Sequence, residues 1–252
     1  MRFASLGSGS KGNATLVAHD QTLLLVDCGF SAREAARRMA LLDVAPEQVD
    51  ALLVTHEHAD HSSGVAVFSR KYKVPVYLTH GTFSTGRCSD CHEVRCFNCE
   101  DEFVVGSISV KAVAVPHDAR EPCQYRFSSA GQSLGVLTDL GSITSHVLDH
   151  YRDCQSLVLE FNHDFQMLMD GAYPQQLKQR VGGDWGHLNN DQAVDLLREI
   201  GCEKLNHLVV AHVSEKNNAR AKVEEALQAL AGPQPNIVWA EQSSGFSWLE
   251  LD

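Results

Sequence analysis

No stretch of this chain is apolar for long enough to cross a bilayer. The longest runs, such as Thr22 to Val26 and Ala51 to Val54, fall far short of the roughly 20 residues a spanning helix needs, so no membrane partner is expected. The opening MRFASLGSGSKGN lacks the apolar core and small-residue cleavage site of a secretory leader, and a cytoplasmic location is the expectation. Positive charge is also scarce: 21 Lys and Arg stand against 32 Asp and Glu, a formal net charge of −11. That balance excludes a broad basic face able to grip nucleic acid non-specifically. Fixed-period repeats, low-complexity tracts and linkers are missing too. With 252 residues, 44% of them hydrophobic, the chain is expected to form one compact domain over residues 1–252. Disulfides are not expected in a reducing compartment, so the eight cysteines read as thiols or metal ligands.

What is present begins as a β-meander. Arg2 to Leu6, Ala14 to Ala18 and Thr22 to Val26 read as strands, the last ending at Asp27. Ser31 with Glu34 three residues on is a capping box, and Ala35, Met39 and Leu42 at helical spacing predict a helix over 31–44. A short buried strand at 51–54, a helical turn at 65–72 and a strand at 74–78 continue a βαβ rhythm. The second half repeats that order. Strands are expected near 103–105, 108–115, 124–127, 134–138, 156–161 and 208–211, with a last β segment over 237–249. Helices are expected at 145–151, 191–200 (capped by Asn190) and 219–230. Sheets in both halves with helices outside predict an α/β fold, an αββα sandwich.

Directly after the 51–54 strand comes Thr55-His56-Glu57-His58-Ala59-Asp60-His61, four potential metal ligands within six positions. Imidazole and carboxylate suit zinc and related divalent ions, and a loop at a strand end can turn alternate side chains toward one point. Further candidates follow apolar strands: His117 in Pro116-His117-Asp118, Asp139 in Thr138-Asp139-Leu140-Gly141, and His212 in Ala211-His212-Val213.

The H-x-H-x-D-H run, with the later histidines and aspartate in order, resembles the metallo-β-lactamase superfamily across almost the full chain. The segments Gly7-Ser8-Gly9-Ser10-Lys11-Gly12-Asn13, Glu160-Phe161-Asn162-His163-Asp164, Gly186-His187-Leu188-Asn189-Asn190 and His212-Val213-Ser214-Glu215-Lys216-Asn217-Asn218 resemble its YycJ/WalJ (VicX-like) group, near ribonuclease Z and the PhnP-type phosphodiesterases. The resemblance implies a metallo-β-lactamase fold and two divalent cations (zinc, manganese or iron). His56, His58 and His117 would hold one, Asp60, His61 and His212 the other, and Asp139 would bridge them. Asp27 matches the family's structural aspartate. The implied activity is phosphodiester hydrolysis by a metal-bridging hydroxide, in this group a 5′→3′ DNA exonuclease proposed to act in mismatch repair. DNA is then the expected partner, and the four charges of two cations would offset the acidic balance where a phosphate sits. Asp60 and His187 are the candidate catalytic residues. His187, at the start of a helix and outside the ligand set, could donate a proton to the leaving oxygen or simply be structural.

Other readings stay open. Cys88-Ser89-Asp90-Cys91 and Cys96-Phe97-Asn98-Cys99 are two C-x2-C pairs that suggest a structural zinc site at Cys88, Cys91, Cys96 and Cys99, with His92 as an alternative ligand and incidental thiols as the plain alternative. His163, Asn217 and Asn218 are candidates for substrate contact or for loop-stabilising hydrogen bonds. The Gly7–Asn13 loop lacks the Gly-Lys-Ser/Thr order of a nucleotide cradle and reads as a tight turn. A small-molecule phosphodiester, ester or thioester is the competing substrate class, a metal-loaded regulator the non-enzymatic reading, and a homodimer the default assembly.

Overall fold

The computed structural model describes residues 1–230 and 235–251. The chain lays down β1 (Arg2–Gly7), β2 (Ala14–His19), β3 (Thr22–Val26), β4 (Ala51–Leu53), β5 (Pro75–Thr79) and β6 (Glu93–Phe97). Then follow β7 (Glu102–Val105), β8 (Ile108–Ala114), β9 (Cys123–Ser129), β10 (Gln132–Leu137), β11 (Ser156–Glu160), β12 (His207–Ala211), β13 (Asn236–Trp239) and β14 (Phe246–Glu250). Among the described residues these make two seven-stranded sheets, ordered β14-β1-β2-β3-β4-β5-β6 and β13-β12-β11-β10-β9-β8-β7. Each sheet is antiparallel at one side and parallel at the other: β3, β4, β5 and β6 run parallel, as do β10, β11, β12 and β13. Strands β3, β11 and β12 carry near-continuous apolar runs because they are covered on both faces, as parallel strands usually are.

The inner faces meet in a core that includes Phe3, Leu24, Val110, Tyr125, Phe127 and Val209. The helices are α1 (Ala32–Ala40), α2 (Ala59–Ser62), α3 (Val65–Tyr72), α4 (His80–Ser84), α5 (Ser145–Tyr151), α6 (Phe165–Asp170), α7 (Gln175–Val181), α8 (Asn190–Ile200) and α9 (Arg220–Leu227). Met39 of α1 and Phe68 of α3 pack on the outer face of the first sheet, and Tyr151, Leu196 and Val223 of α5, α8 and α9 on that of the second. The layers are therefore αββα, as the pattern predicts.

Boundaries differ where local chemistry overrides periodicity. The first helix starts as expected, with Ser31 Oγ accepting from Glu34 N, but it stops at Ala40, and Asp43 turns the chain with φ 57°. Asn189 rather than Asn190 caps α8, in a box with Gln192. The expected 237–249 segment is β13 and β14 joined by a turn at 241–245. Strand β6 and the short helices α2, α4, α6 and α7 have too few apolar repeats to stand out in sequence.

Candidate metal centre

The parallel strands aim their carboxyl ends at one cleft, the usual place for a site in such sheets. Residue pairing sets the neighbours: Val26 lies opposite Leu53, Leu137 opposite Leu159, and Glu160 opposite Ala211. Asp27 and the His56–His61 loop thus leave adjacent strands of one sheet, and Asp139 and His212 leave the strands on either side of β11 in the other. Asp27, Asp139 and His212 all have left-handed backbone, with φ of 59°, 59° and 51°. That conformation is uncommon for non-glycine residues and clusters at functional sites, where it re-aims a side chain.

Three of the rings are held from behind. Asp27 Oδ1 accepts from Thr55 N at 2.9 Å, while Oδ2 accepts from Thr55 Oγ1 at 2.9 Å and sits 2.8 Å from His61 Nδ1. A carboxylate on the far nitrogen fixes a histidine's orientation and leaves Nε2 as the ligand atom. His117 uses Nδ1 on the Gly186 carbonyl at 2.9 Å, so its Nε2 meets His58 Nδ1 at 3.2 Å. His56 Nδ1 lies 2.9 Å from Thr55 Oγ1.

The candidate ligand atoms fall into overlapping groups. His56, His58 and His117 form one, Asp60, His61 and His212 another, and His56, His61 and Asp139 a third. In each, all atoms lie within 4.8 Å of one another. All seven residues of the expected ligand set are brought together. Three buried atoms at this point, His56 Nε2, Asp139 Oδ2 and His212 Nδ1, make no hydrogen bond. Asp139 Oδ2 is 3.2 Å from His61 Nε2, and His212 Nδ1 is 3.3 Å from Asp139 Oδ1, but neither pair has hydrogen-bond alignment. An unpartnered buried polar atom costs about 1–3 kcal/mol, and three converging ones fit divalent cations better than any partner the chain supplies.

Charge coupling within the cluster is strong. Burial would raise the Asp139 carboxyl, but His212 and His61 outweigh it and hold it well below the usual range. Burial would depress His212, yet Asp139, with Asp60 and Glu160, lifts it to about 10. His56 is pushed well down by its burial.

The sequence reading passed over Glu160. Fully buried at the end of β11, its Oε1 accepts from Leu140 N at 2.7 Å and Leu188 N at 3.2 Å, and its Oε2 lies 3.0 Å from His187 Nδ1. Burial opposes its charge, but His187 and His212 keep its carboxyl at about 2. In the sequence Glu160 shows as the close of the apolar run Ser-Leu-Val-Leu-Glu and as the first residue of the Glu160–Asp164 segment. His187 lies at the edge of the cluster and forms a further candidate group with Asp139 and His212, its ring centroid 5.2 Å from that of His117 and 5.1 Å from that of His212.

The remaining candidates fall elsewhere. Asn218 is spent on the loops: Nδ2 donates to Phe161 O and Asn190 Oδ1 at 2.8 Å each, and Oδ1 accepts from Asn190 Nδ2 and Ala219 N. Asn217 is buried against Gly171. His163 is buried with neither ring nitrogen hydrogen-bonded, and it joins no ligand group. The four cysteines do not converge either. Cys91 and Cys96 pack with buried Cys88 on the outer face of the first sheet, whereas Cys99 packs into the inter-sheet core and its thiol lies 3.9 Å from Pro122 O. Among the described residues, no group of three or more candidate ligands includes a cysteine. The second pair is separated because Cys96 lies in β6 and Cys99 in the turn beyond that strand.

The chain belongs to the β-lactamase superfamily, whose domain matches residues 22–212. Its likeness to one branch is specific. It is 35% identical to the exodeoxyribonuclease YycJ of Bacillus anthracis over 90% of this chain and 89% of that protein. It is 32% identical to the exodeoxyribonuclease WalJ of Streptococcus pneumoniae over 87% and 84%. The metallo-β-lactamase fold protein YhfI of Bacillus subtilis superposes with a TM-score of 0.77 at 15% identity, over 99% of both chains. This kinship makes the chain a hydrolase. Among the described residues no helix is long and apolar enough to cross a membrane.

Proposed function

We propose that the chain is a cytoplasmic, metal-dependent exonuclease that shortens DNA in the 5′→3′ direction. The observation that carries this reading is a cleft of about 320 Å³ where the candidate ligands His58, Asp60 and Asp139 share the lining with Arg87, Arg180 and His187. Two divalent cations (zinc, manganese or iron), held by His56, His58, His117, Asp60, His61, His212 and a bridging Asp139, would lower the pKa of water toward neutrality and clamp both oxygens of an in-line displacement at phosphorus.

The chain's own groups supply the rest. Arg180 Nε donates to Asp118, which leaves its other guanidinium N–H groups for a phosphate oxygen. Arg87 makes no hydrogen bond or ion pair among the described residues. In a chain of net charge −11, Arg87 and the remaining N–H groups of Arg180 in the cleft argue for an anionic substrate over a neutral ester or lactam. Glu160 fixes His187 through Nδ1, so Nε2 is the nitrogen available for proton transfer to the leaving oxygen. Trp185, two residues before His187 and 64% exposed, offers a face on which an unpaired terminal base can stack.

The test uses purified protein with manganese or zinc on single- and double-stranded DNA labelled at either end. Release from the 5′ end, absent in Asp139→Ala, is expected. Undiminished activity in that variant would sink the mechanism, and turnover of esters but not of DNA would move the chain to the other substrate class.

A further inference from the structure

We propose that Glu100, His146 and His150 form a separate site for a single divalent cation of the zinc class, which ties the β6–β7 turn to helix α5. Nothing in the cleft chemistry requires it. His146 and His150 lie one turn apart on α5, where residues four apart share a face, and their ring centroids are 4.5 Å apart. Glu100 reaches them from the turn between the two sheets. Its Oε1 lies 2.8 Å from His146 Nε2, its Oε2 lies 3.7 Å from His150 Nε2, and the three ligand atoms fall within 4.8 Å of one another. Zinc–nitrogen and zinc–oxygen bonds of about 2.0–2.1 Å in a tetrahedron place ligand atoms roughly 3.3 Å apart. The 3.7 Å separation lies near that value, while the 2.8 Å one is a hydrogen bond that would lengthen by about half an ångström around an ion.

Hydrogen bonding on the far side of His150 points the same way. Its Nδ1 lies 2.9 Å from the His146 carbonyl oxygen, an atom that only accepts, so Nδ1 must carry the proton. His150 Nε2 is then the ring nitrogen that faces the Glu100 carboxylate. A ligating histidine commonly shows this arrangement, one nitrogen on a carbonyl and the other on the metal. The carboxylate is pinned from behind by Ala114 N, which donates to Oε1 at 2.7 Å. Lys111, with Nζ 3.5 Å from Glu100 Oε2 and donating to the Glu100 carbonyl, is the rival cation that a metal has to outbid. All three ligand side chains are partly exposed, at 39%, 41% and 24%, which leaves water to complete the coordination.

The placement gives the site a purpose. Glu100 is anchored at the end of β8, three residues before His117, and α5 begins six residues after Asp139. A cation here would brace two of the loops that feed the cleft.

The test is zinc stoichiometry on purified protein, counted after removal of weakly held metal. Wild type is expected to hold one equivalent more than His150→Ala and one more than Glu100→Gln, whatever number the cleft retains. Anomalous diffraction at the zinc edge from zinc-soaked wild-type crystals should show a peak between Glu100, His146 and His150, a reading that does not depend on either variant folding. Equal stoichiometry in wild type and a folded variant, or no anomalous peak at that position, would overturn the proposal. Either result leaves the nuclease reading untouched, because that is judged on DNA cleavage and Asp139.

Discussion

Asp27 and Glu160 touch no substrate in the proposed reaction, yet both decide where a histidine points. Replacing Asp27 with Asn removes the charge behind His61 Nδ1. Metal affinity, measured by competition with a chromophoric chelator, should fall about 10–100-fold while the circular dichroism spectrum is kept. Glu160→Gln should lower kcat about tenfold or more with KM little changed, and should alter the pH–rate profile, because His187 loses the anion that orients it. His163 bears on stability instead. Burial depresses it from 6.5 to about 4, so the unfolded chain binds that proton more readily than the folded one. Stability is then full above about pH 6.5 and falls as the pH drops toward 4, by at most about 3 kcal/mol. Denaturant titrations across that range should show a shallower decline in His163→Leu. At this scale the residues that converge in the cleft were legible and their supports were not. His56 to His61 are dense in sequence and His117, Asp139 and His212 each end an apolar strand, whereas Glu160, Arg87 and Arg180 reveal themselves only by what they meet across loops distant in the chain.

Among the elements, those with strong periodicity could be read directly: the meander β1 to β3, the capped α1, and α8 with its apolar face. The short helices could not, and they matter for the site. Helix α7 brings Arg180 to the cleft, and the turn after it holds Gly186, whose carbonyl fixes His117. A Cβ on Gly186 would lie 2.2 Å from the carbonyl oxygens of both Arg180 and Val181, backbone atoms that cannot swing away. Gly186→Ala should therefore displace His117 and the neighbouring His187 together, lowering kcat/KM by about tenfold or more in steady-state assays and the Tm by several degrees. The C-x2-C pairs show the opposite failure. Their spacing suggests one site, but Cys96 lies on the outer face of β6 while Cys99, in the turn beyond that strand, packs into the inter-sheet core.

For the whole molecule, the expected αββα sandwich follows from two runs of strands with helices between them. How the two sheets face each other was not legible, because the pairing that aligns β3 with β4 and β10 with β11 is set by contacts remote in sequence. That mutual arrangement has an energetic consequence. The first sheet supplies His56, His58, Asp60 and His61; the second supplies His117, Asp139 and His212. Cations bound between them would stabilise the folded chain by RT ln(1 + [L]/Kd), about 2.7 kcal/mol at a hundredfold excess over Kd. Stripping them with a chelator should lower the Tm by several degrees, read by differential scanning fluorimetry, and adding manganese or zinc should restore it. Such a centre behaves as a rivet through two plates. A chain that has not yet acquired its ions would open first along the seam between the sheets, so proteases in the cell would clear empty molecules ahead of loaded ones, and the standing pool would be enriched in enzyme ready to act.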